Sequence, residues 1–249
     1  GLEFQASYRW NINKDWRWQT GFNIAWNDNR ILETYKTESG APYEVQMGPN
    51  AFKIKYVEGG RYGDIYVNSF ARDENGHIKI NDAGNYENAV PVMASGKYET
   101  KVGNMTSPVT LGWNNTFTWK NLTLYFLIDG KIGGKVMSLT EPDRDYYGLS
   151  MRSANDRLNG ERVIQNGKEY VLKALPDGQK VSVEKYYRTV GSNPMEDYIY
   201  DATNFRLRDL SLGYTFLNVL GKGRHLTASF TVKNVCFLYK NAPVDPDIS

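Results

Sequence analysis

Metal-binding and redox side chains are scarce in this sequence, which has one cysteine and two histidines in 249 residues. A single cysteine excludes an intramolecular disulfide framework and any multi-cysteine metal cluster. His77 and His225 leave few ligands for a zinc site and few groups for histidine-based catalysis. We therefore predict that the chain uses no metal and no cofactor.

Charge of one sign and long apolar runs are also missing. The 30 Lys and Arg residues balance 28 Asp and Glu residues, and the net charge of +2 is spread along the chain. This balance excludes the clustered basic surface that nucleic-acid binding requires. The longest apolar runs have five residues, as in Leu124–Ile128, far fewer than the roughly 20 residues of a membrane-spanning helix. The chain begins at Gly1 without an initiator methionine or a signal peptide, so we expect it to be a piece of a longer protein.

What the sequence has in abundance is aromatic residues, 14% of the chain, including 18 tyrosines and 6 tryptophans. Long stretches of strong helix formers are absent, so a helix-rich fold is disfavoured. Aromatic enrichment favours β-strands. The composition therefore predicts an all-β protein.

Strict alternation of apolar and polar residues predicts three long hairpins. Residues 2–13 alternate, a two-residue turn at Lys14-Asp15 follows, and residues 16–26 alternate again. Residues 109–119 and 122–128 form a second pair around Lys120-Asn121. The third pair, 210–216 and 226–232, is joined by residues 217–225. The alternation changes phase near Arg208-Asp209, which predicts a β-bulge there.

Two polar stretches, 32–107 and 137–198, separate the hairpins and contain the short strand-like pieces 52–57, 76–80 and 170–175. Connections of about 60 to 75 residues are rare in compact soluble domains. Short turns at one end of a sheet and long loops at the other are typical of outer-membrane β-barrels. The layout therefore predicts an antiparallel transmembrane β-barrel segment with long extracellular loops.

The tryptophans support that interpretation because all of them lie on the apolar faces of the predicted strands. Ten residues separate Trp16 from Trp26, or about 33 Å along a strand and about 25 Å once tilted, the height of an outer-membrane apolar band. We place Trp26 and Trp113 toward the strand ends far from the short turns. The alternative is a soluble β-sandwich whose aromatic residues fill a core. The predicted lipid-facing girdle comprises Trp10, Trp16, Trp18, Trp26, Trp113 and Trp119.

Several stretches resemble the SusC/RagA type of TonB-dependent outer-membrane transporter of Bacteroidetes. The most specific are residues 204–214, Asn-Phe-Arg-Leu-Arg-Asp-Leu-Ser-Leu-Gly-Tyr, and the terminal Asp245-Pro246-Asp247. The resemblance also covers residues 1–31, 58–80, 102–136, 145–157, 201–216 and 232–249.

This resemblance implies that residues 1–249 are the C-terminal part of a barrel of about 22 strands, to which they contribute about six. The plug domain, the TonB-contacting segment and the last strand of such proteins are then absent. An isolated piece of this kind cannot close, so we predict a curved open sheet whose edges pair with other chain segments. Its outward face carries Leu2, Phe4, Tyr8, Trp16, Phe22, Trp113 and Phe126. Its lumen face carries Arg9, Arg17, Gln19, Asn114 and Lys233.

The resemblance further implies active import of glycans or oligopeptides across the bacterial outer membrane. Such transporters work with a SusD-like surface lipoprotein and receive energy from the TonB system through the plug. Neither catalysis nor nucleic-acid binding is expected. The alternative function is a soluble β-rich glycan-binding module, in which Phe4, Tyr8, Trp18, Phe22, Trp113 and Phe126 would be buried by a second sheet.

Other motifs carry little chemistry. Gly130–Lys135 lacks the P-loop spacing, and Val136 stands where a hydroxyl is needed. Asp73–Gly76 lacks a complete calcium loop, and we predict a hairpin turn. We interpret Glu141, Asp143 and Asp145 as solvated loop carboxylates. No residue is assigned a catalytic role.

Cargo contacts are expected from the long connections. Tyr146, Tyr147 and Arg152 combine flat aromatic faces with a bidentate donor, which suits sugar stacking or peptide recognition. The alternative is that these side chains pack one part of a loop against another. The composition does not separate a glycan from a peptide cargo.

Overall fold

A computed structural model describes residues 1–41, 43, 45–192, 194–219 and 221–246. Asp247 of the terminal motif and Leu220 of the third predicted turn lie outside the described residues. The strands are β1 (Leu2–Asn11), β2 (Trp16–Trp26), β3 (Val45–Met47), β4 (Lys53–Tyr56), β5 (Asp64–Val67), β6 (Thr100–Asn104), β7 (Val109–Trp119), β8 (Leu122–Ile132), β9 (Lys135–Met137), β10 (Glu161–Gln165), β11 (Lys168–Ala174), β12 (Lys180–Ser182), β13 (Ile199–Asp201), β14 (Asn204–Phe216) and β15 (Leu226–Lys240). The helices are α1 (Thr140–Tyr146), α2 (Met151–Asn159), α3 (Val183–Ser192) and the short 3-10 helix Glu196–Tyr198.

The chain divides into two compact units, Gly1–Asn29 with Thr106–Val136 and Tyr200–Ser249, and Arg30–Met105 with Met137–Ile199. The first unit contains an antiparallel sheet of six strands in the order β1-β2-β7-β8-β14-β15. These are the six long strands that the alternation predicts. Within the described residues β1 and β15 pair only on their inner sides, so this sheet is open, as expected.

The first turn is longer than the two residues predicted, because β1 ends at Asn11 and β2 begins at Trp16. The side-chain oxygen of Asn13 accepts the N–H groups of Asp15 and Trp16, both at 2.9 Å. An asparagine that binds nearby backbone in this way stabilises a turn in competition with the strand. The second turn is confirmed, with Lys120 in the left-handed region at φ +50° and Trp119 opposite Leu122.

The predicted β-bulge is confirmed in β14. The register of β14 shifts between Leu207 and Asp209 against both neighbouring strands. On β15 the irregular stretch opposite this shift includes Asn234, which has φ +52°. One extra residue reverses the alternation. Leu207 and Leu210 consequently lie on the same face of the sheet, although one number is odd and the other even.

Pairing across the sheet produces one continuous apolar face. Phe22 lies opposite Trp113, Trp113 opposite Ile128, and Ile128 opposite Leu207. The soluble-sandwich alternative requires this face to be buried. Instead Phe4 is 59% exposed and Phe22 is 37% exposed, so no second sheet among the described residues buries this face.

The prediction of two long polar loops is wrong, because these segments form the second unit, which has a hydrophobic core of its own. Ile65 and Val67 of β5 pack with Val190 of α3 and with Tyr198. Strands β3 to β6 form one sheet and β10 to β12 another. Two of the strand-like pieces become β4 and β11, whereas residues 76–80 form only isolated bridges.

The Asp73–Gly76 turn is confirmed. Gly76 has φ +83° and donates its N–H to the Asp73 carbonyl oxygen at 3.1 Å, while the Asp73 side chain accepts the N–H groups of Asn75 and His77. The carboxylate of Asp73 is therefore used by the turn itself. Among the described residues, no helix combines the length and the apolar character that crossing a membrane requires.

Candidate functional site

Four of the six tryptophans of the apolar face lie beside the short turns, one lies at the opposite end of the sheet and one in the middle. Trp16 and Trp119 stack beside the short turns with ring centroids 5.7 Å apart, and Trp10 lies opposite Trp18 in the same region. Trp26 lies at the other end of the sheet. Trp18 is half-buried, and the other five tryptophans are 41 to 50% exposed. Contact of these side chains with lipid stays a prediction.

Trp113 differs from the predicted position, because it lies in the middle of the sheet opposite Phe22 and not at a strand end. Its indole N–H donates to Thr20 Oγ1 at 3.0 Å, and the indole N–H of Trp18 donates to Asn115 Oδ1 at 3.1 Å. Thr20 and Asn115 lie opposite each other on the apolar face. An indole N–H in an apolar environment needs such an acceptor, which explains this polar pair.

The opposite face carries the arginine cluster, formed by Asp129, Arg206, Arg208, Asn234 and Asp245. Arg208 Nε lies 2.5 Å from Asp129 Oδ2, and Arg208 Nη1 lies 2.8 Å from Asn234 Oδ1. Arg206 Nη2 lies 2.7 Å from Asp245 Oδ1, and its guanidinium stacks 4.0 Å over the Phe237 ring. The two most specific motifs of the sequence are therefore joined by a side-chain ion pair.

Arg206→Ala is expected to release the segment 241–246 from the sheet. The Arg206 side chain is only 6% exposed, and leaving its partners unpaired costs about 2 to 3 kcal/mol. Amide exchange in residues 241–246 should accelerate about 30-fold or more. The exposed turn residue Arg224 provides the control, since Arg224→Ala should leave this exchange unchanged. Equal acceleration in both variants would contradict a role for the cluster.

In the second unit the interpretation of three solvated carboxylates is wrong for Asp145. Asp143 is exposed and Glu141 half-buried, but the Asp145 side chain is 1% exposed. Its Oδ2 accepts hydrogen bonds from Arg152 Nε at 2.8 Å, from Arg152 Nη2 and from the Tyr198 hydroxyl at 2.6 Å. The sequence pattern missed this because the partners follow Asp145 by 7 and 53 positions.

Burial and pairing act against each other in this network. Burial raises the pKa of Asp145, but the hydrogen bonds from Arg152, Ser150 and Tyr198 outweigh it and hold the pKa below its usual value. Burial lowers the pKa of Arg152, but the hydrogen bonds and the charge of Asp145 have the larger effect, so the pKa of Arg152 is raised above its usual value. Burial raises the pKa of Tyr186 to about 12. Asp145 and Arg152 therefore remain a charged pair across the physiological range.

Arg152 is also held by aromatic rings. Its guanidinium carbon lies 5.1 Å from the Tyr198 ring centroid and 5.7 Å from that of Tyr187. These contacts agree with the alternative given for Arg152, in which its side chain packs one part of the second unit against another. A contact between Arg152 and cargo is not tested by this arrangement and stays a prediction.

Tyr146 and Tyr147 line a cleft of about 560 Å³ in the second unit, which we name the tyrosine cleft. Their rings meet edge to face at 5.1 Å, and Tyr147 is 71% exposed. Arg152 does not line the cleft. The side chains that sequence reasoning missed come from α2 and α3 and include Arg157, Glu184, Tyr187 and Arg188.

Signals for these two helices are present in the sequence. Ser150 Oγ accepts the Ser153 N–H at 3.1 Å at the start of α2, and Ser182 Oγ accepts the Lys185 N–H at 3.4 Å at the start of α3. A serine three positions before the amide that it caps is typical of a helix N-terminus. These two caps are the sequence signal that places Arg157 and Arg188 on helices.

Comparison with known proteins gives a consistent class, although the chain matches no protein-family profile. The chain is similar to TonB-dependent receptors and to the transporter RagAB, as its motifs predict. A TonB-dependent receptor of Formosa agariphila is 21% identical over 236 residues, covering 86% of this chain and 21% of the relative. The TonB-dependent receptor SusC of Bacteroides thetaiotaomicron is 24% identical, covering all of this chain and 24% of the relative.

Solved structures of the RagAB peptide transporter share the fold. One covers 98% of this chain and 26% of its own, with 14% identity and a TM-score of 0.57. The importer in an open-open state gives 18% identity, a TM-score of 0.56 and coverage of 99% and 26%. The resemblance to the SusC/RagA type of TonB-dependent transporter is thereby confirmed, and the chain spans about a quarter of the length of these relatives.

Proposed function

We propose that this chain is part of an outer-membrane importer of the TonB-dependent type, without catalytic activity. The observation that carries the proposal is the apolar face, which crosses all six strands of the open sheet and is exposed, while the arginine cluster lies on the other face. A wall between lipid and a polar lumen requires this division. The similarity to TonB-dependent receptors supports the same conclusion.

In this proposal the short turns face the periplasm and the connections that form the second unit face the exterior. Residues 1–249 then belong to the C-terminal part of the barrel. Both free edges, β1 and β15, pair with further strands of the complete protein, since a membrane wall cannot leave strand edges unpaired. Outer-membrane lipid contacts the apolar face.

The partners follow from the same proposal. A SusD-like surface lipoprotein works with the importer, and the TonB system acts through the plug region of the complete protein. The cargo is a glycan or an oligopeptide. Tyr146 and Tyr147 of the tyrosine cleft are the proposed cargo contacts, because exposed aromatic faces suit both sugar rings and peptide side chains. Arg152 is kept as a further candidate contact.

The experiment is fractionation of cells that express the full-length protein, followed by an uptake assay. We expect the protein in the outer-membrane fraction, extraction only with detergent, and loss of cargo uptake when the TonB system is inactivated. A protein that is recovered as a monomer from the soluble fraction without detergent would contradict the proposal and favour the glycan-binding module.

A further inference from the structure

The tyrosine cleft brings two arginines from different helices to one concave surface. Arg157 belongs to α2 and Arg188 to α3, and both line the cleft with Tyr146, Tyr147 and Glu184. Neither arginine is among the cargo contacts that the sequence predicts. Their convergence therefore needs an explanation of its own.

Arg157 is positioned by its surroundings. Its Nη2 donates to the Gly148 carbonyl oxygen at 2.8 Å, and its Nη1 lies 3.4 Å from Ser153 Oγ. Gly148 has φ +69°, and a Cβ added there would lie 2.7 Å from Arg157 Nη1. A glycine at this position therefore permits the close approach of the guanidinium.

Both guanidinium groups retain donors for a ligand. Arg188 Nη2 lies 3.0 Å from Glu184 Oε1, and both side chains are mostly exposed, at 59% and 69%. A guanidinium has five N–H donors, so one ion pair for Arg188 and two hydrogen bonds for Arg157 leave several unused.

The charges of the cleft do not cancel. The lining contains two acidic residues, Asp145 and Glu184, and two arginines, Arg157 and Arg188. The charge of Asp145 is already neutralised by Arg152, which lies outside the lining. The cleft therefore has an excess of one positive charge. A planar carboxylate matches a guanidinium in charge and in geometry, whereas a neutral sugar does not use that charge.

We propose that the tyrosine cleft binds a carboxylate group of the cargo. Arg157 and Arg188 donate hydrogen bonds to that carboxylate, and the rings of Tyr146 and Tyr147 contact the part of the cargo next to it. This inference rests on the proposed import function and names the chemical class of the cargo. The carboxylate has two possible sources, an acidic oligopeptide or an oligosaccharide that contains uronic acid.

The test is equilibrium binding to the full-length protein in detergent at low ionic strength. The probes are a capped peptide of alternating Gly and Glu, its Gln counterpart, an oligogalacturonate and its methyl ester. We expect one acidic probe to bind at least about tenfold more tightly than its neutral counterpart. Preference for the acidic peptide identifies a peptide source, and preference for the oligogalacturonate identifies a glycan source.

Variants locate the binding. Arg188→Gln and Gly148→Ala should each reduce the preference for the acidic probe about tenfold, the second by displacing Arg157. The control is Arg162→Gln, because Arg162 is similarly exposed and pairs with Glu169 at 3.5 Å outside the cleft. The inference is overturned if acidic and neutral probes bind equally, or if the Arg162 variant loses as much affinity as the Arg188 variant.

Failure of this inference is distinguishable from failure of the proposed function. A protein that resides in the outer membrane and imports cargo without a carboxylate preference overturns only the inference. A protein recovered from the soluble fraction overturns the proposed function, whatever its preference among the probes.

Discussion

Asp145→Asn is expected to destabilise the second unit by about 3 kcal/mol, which is the cost of removing one partner from a buried ion pair. Arg152 would lose its main counterion while its guanidinium stays packed against Tyr187 and Tyr198. The Tyr198 hydroxyl would lose a charged acceptor at 2.6 Å. Amide exchange of α1 to α3 in the full-length protein should accelerate by about 100-fold.

The control for this prediction lies two residues away on the same helix. Asp143 carries the same carboxylate in an exposed position, so Asp143→Asn should change exchange by less than about threefold. Similar acceleration in both variants would show that loss of charge on α1, and not the buried pair, is responsible.

The same pair makes the second unit sensitive to acid. The pKa of Asp145 in the folded protein lies below its usual value of 3.8. The stabilisation is therefore fully present above that usual value and is lost as the pH falls through the lower, folded pKa. Asp145→Asn should remove this part of the pH dependence, and amide exchange of α1 to α3 at pH values below 4 measures it.

Phe22→Arg should prevent or strongly weaken insertion of the full-length protein into membranes. Phe22 lies in the middle of the apolar face, and an arginine on the lipid side of a barrel costs about 2 to 4 kcal/mol near the midplane. Unfolding by denaturant in lipid vesicles measures the loss. A folded, inserted protein with unchanged stability would contradict contact of this face with lipid.

Asn23 provides a control at the same depth. It is the next residue of β2, it is also exposed, and its side chain lies on the opposite face over Gly112. Asn23→Arg introduces the same charge into a polar environment and should change stability by less than about 0.5 kcal/mol. A comparable loss in both variants would mean that the introduced arginine, and not its face, is the cause.

The long strands could be predicted because their alternation is a local signal. Each of β1, β2 and β7 has one apolar face and one polar face, so a period of two over ten residues specifies strand and orientation together. The bulge near Arg208 was visible as a phase change. The length of the first turn was not, because it depends on hydrogen bonds from the Asp15 and Trp16 N–H groups to the Asn13 side chain, which alternation does not encode.

The second unit could not be predicted from local patterns. Its core joins Ile65 and Val67 to Val190 and Tyr198. More than a hundred positions separate the first pair from the second, so no local pattern links them. Only part of the tyrosine cleft could be predicted, because its lining also comes from segments that are distant in the sequence. Tyr146 and Tyr147 are neighbours in the sequence, whereas Arg157 and Arg188 reach the cleft only when α2 and α3 pack.

In the proposed importer, one face of the six-stranded sheet contacts lipid and the other contacts water. Spin labels on Phe22→Cys and Asn23→Cys test it most directly, in full-length protein in vesicles. The native Cys236 is exposed, so both variants also carry Cys236→Ser. We predict that oxygen, which concentrates in lipid, relaxes the label at position 22, and that a water-soluble nickel chelate relaxes the label at position 23. Equal access of the chelate to both labels, or shielding of the label at position 22 from both reagents, would contradict contact of this face with lipid.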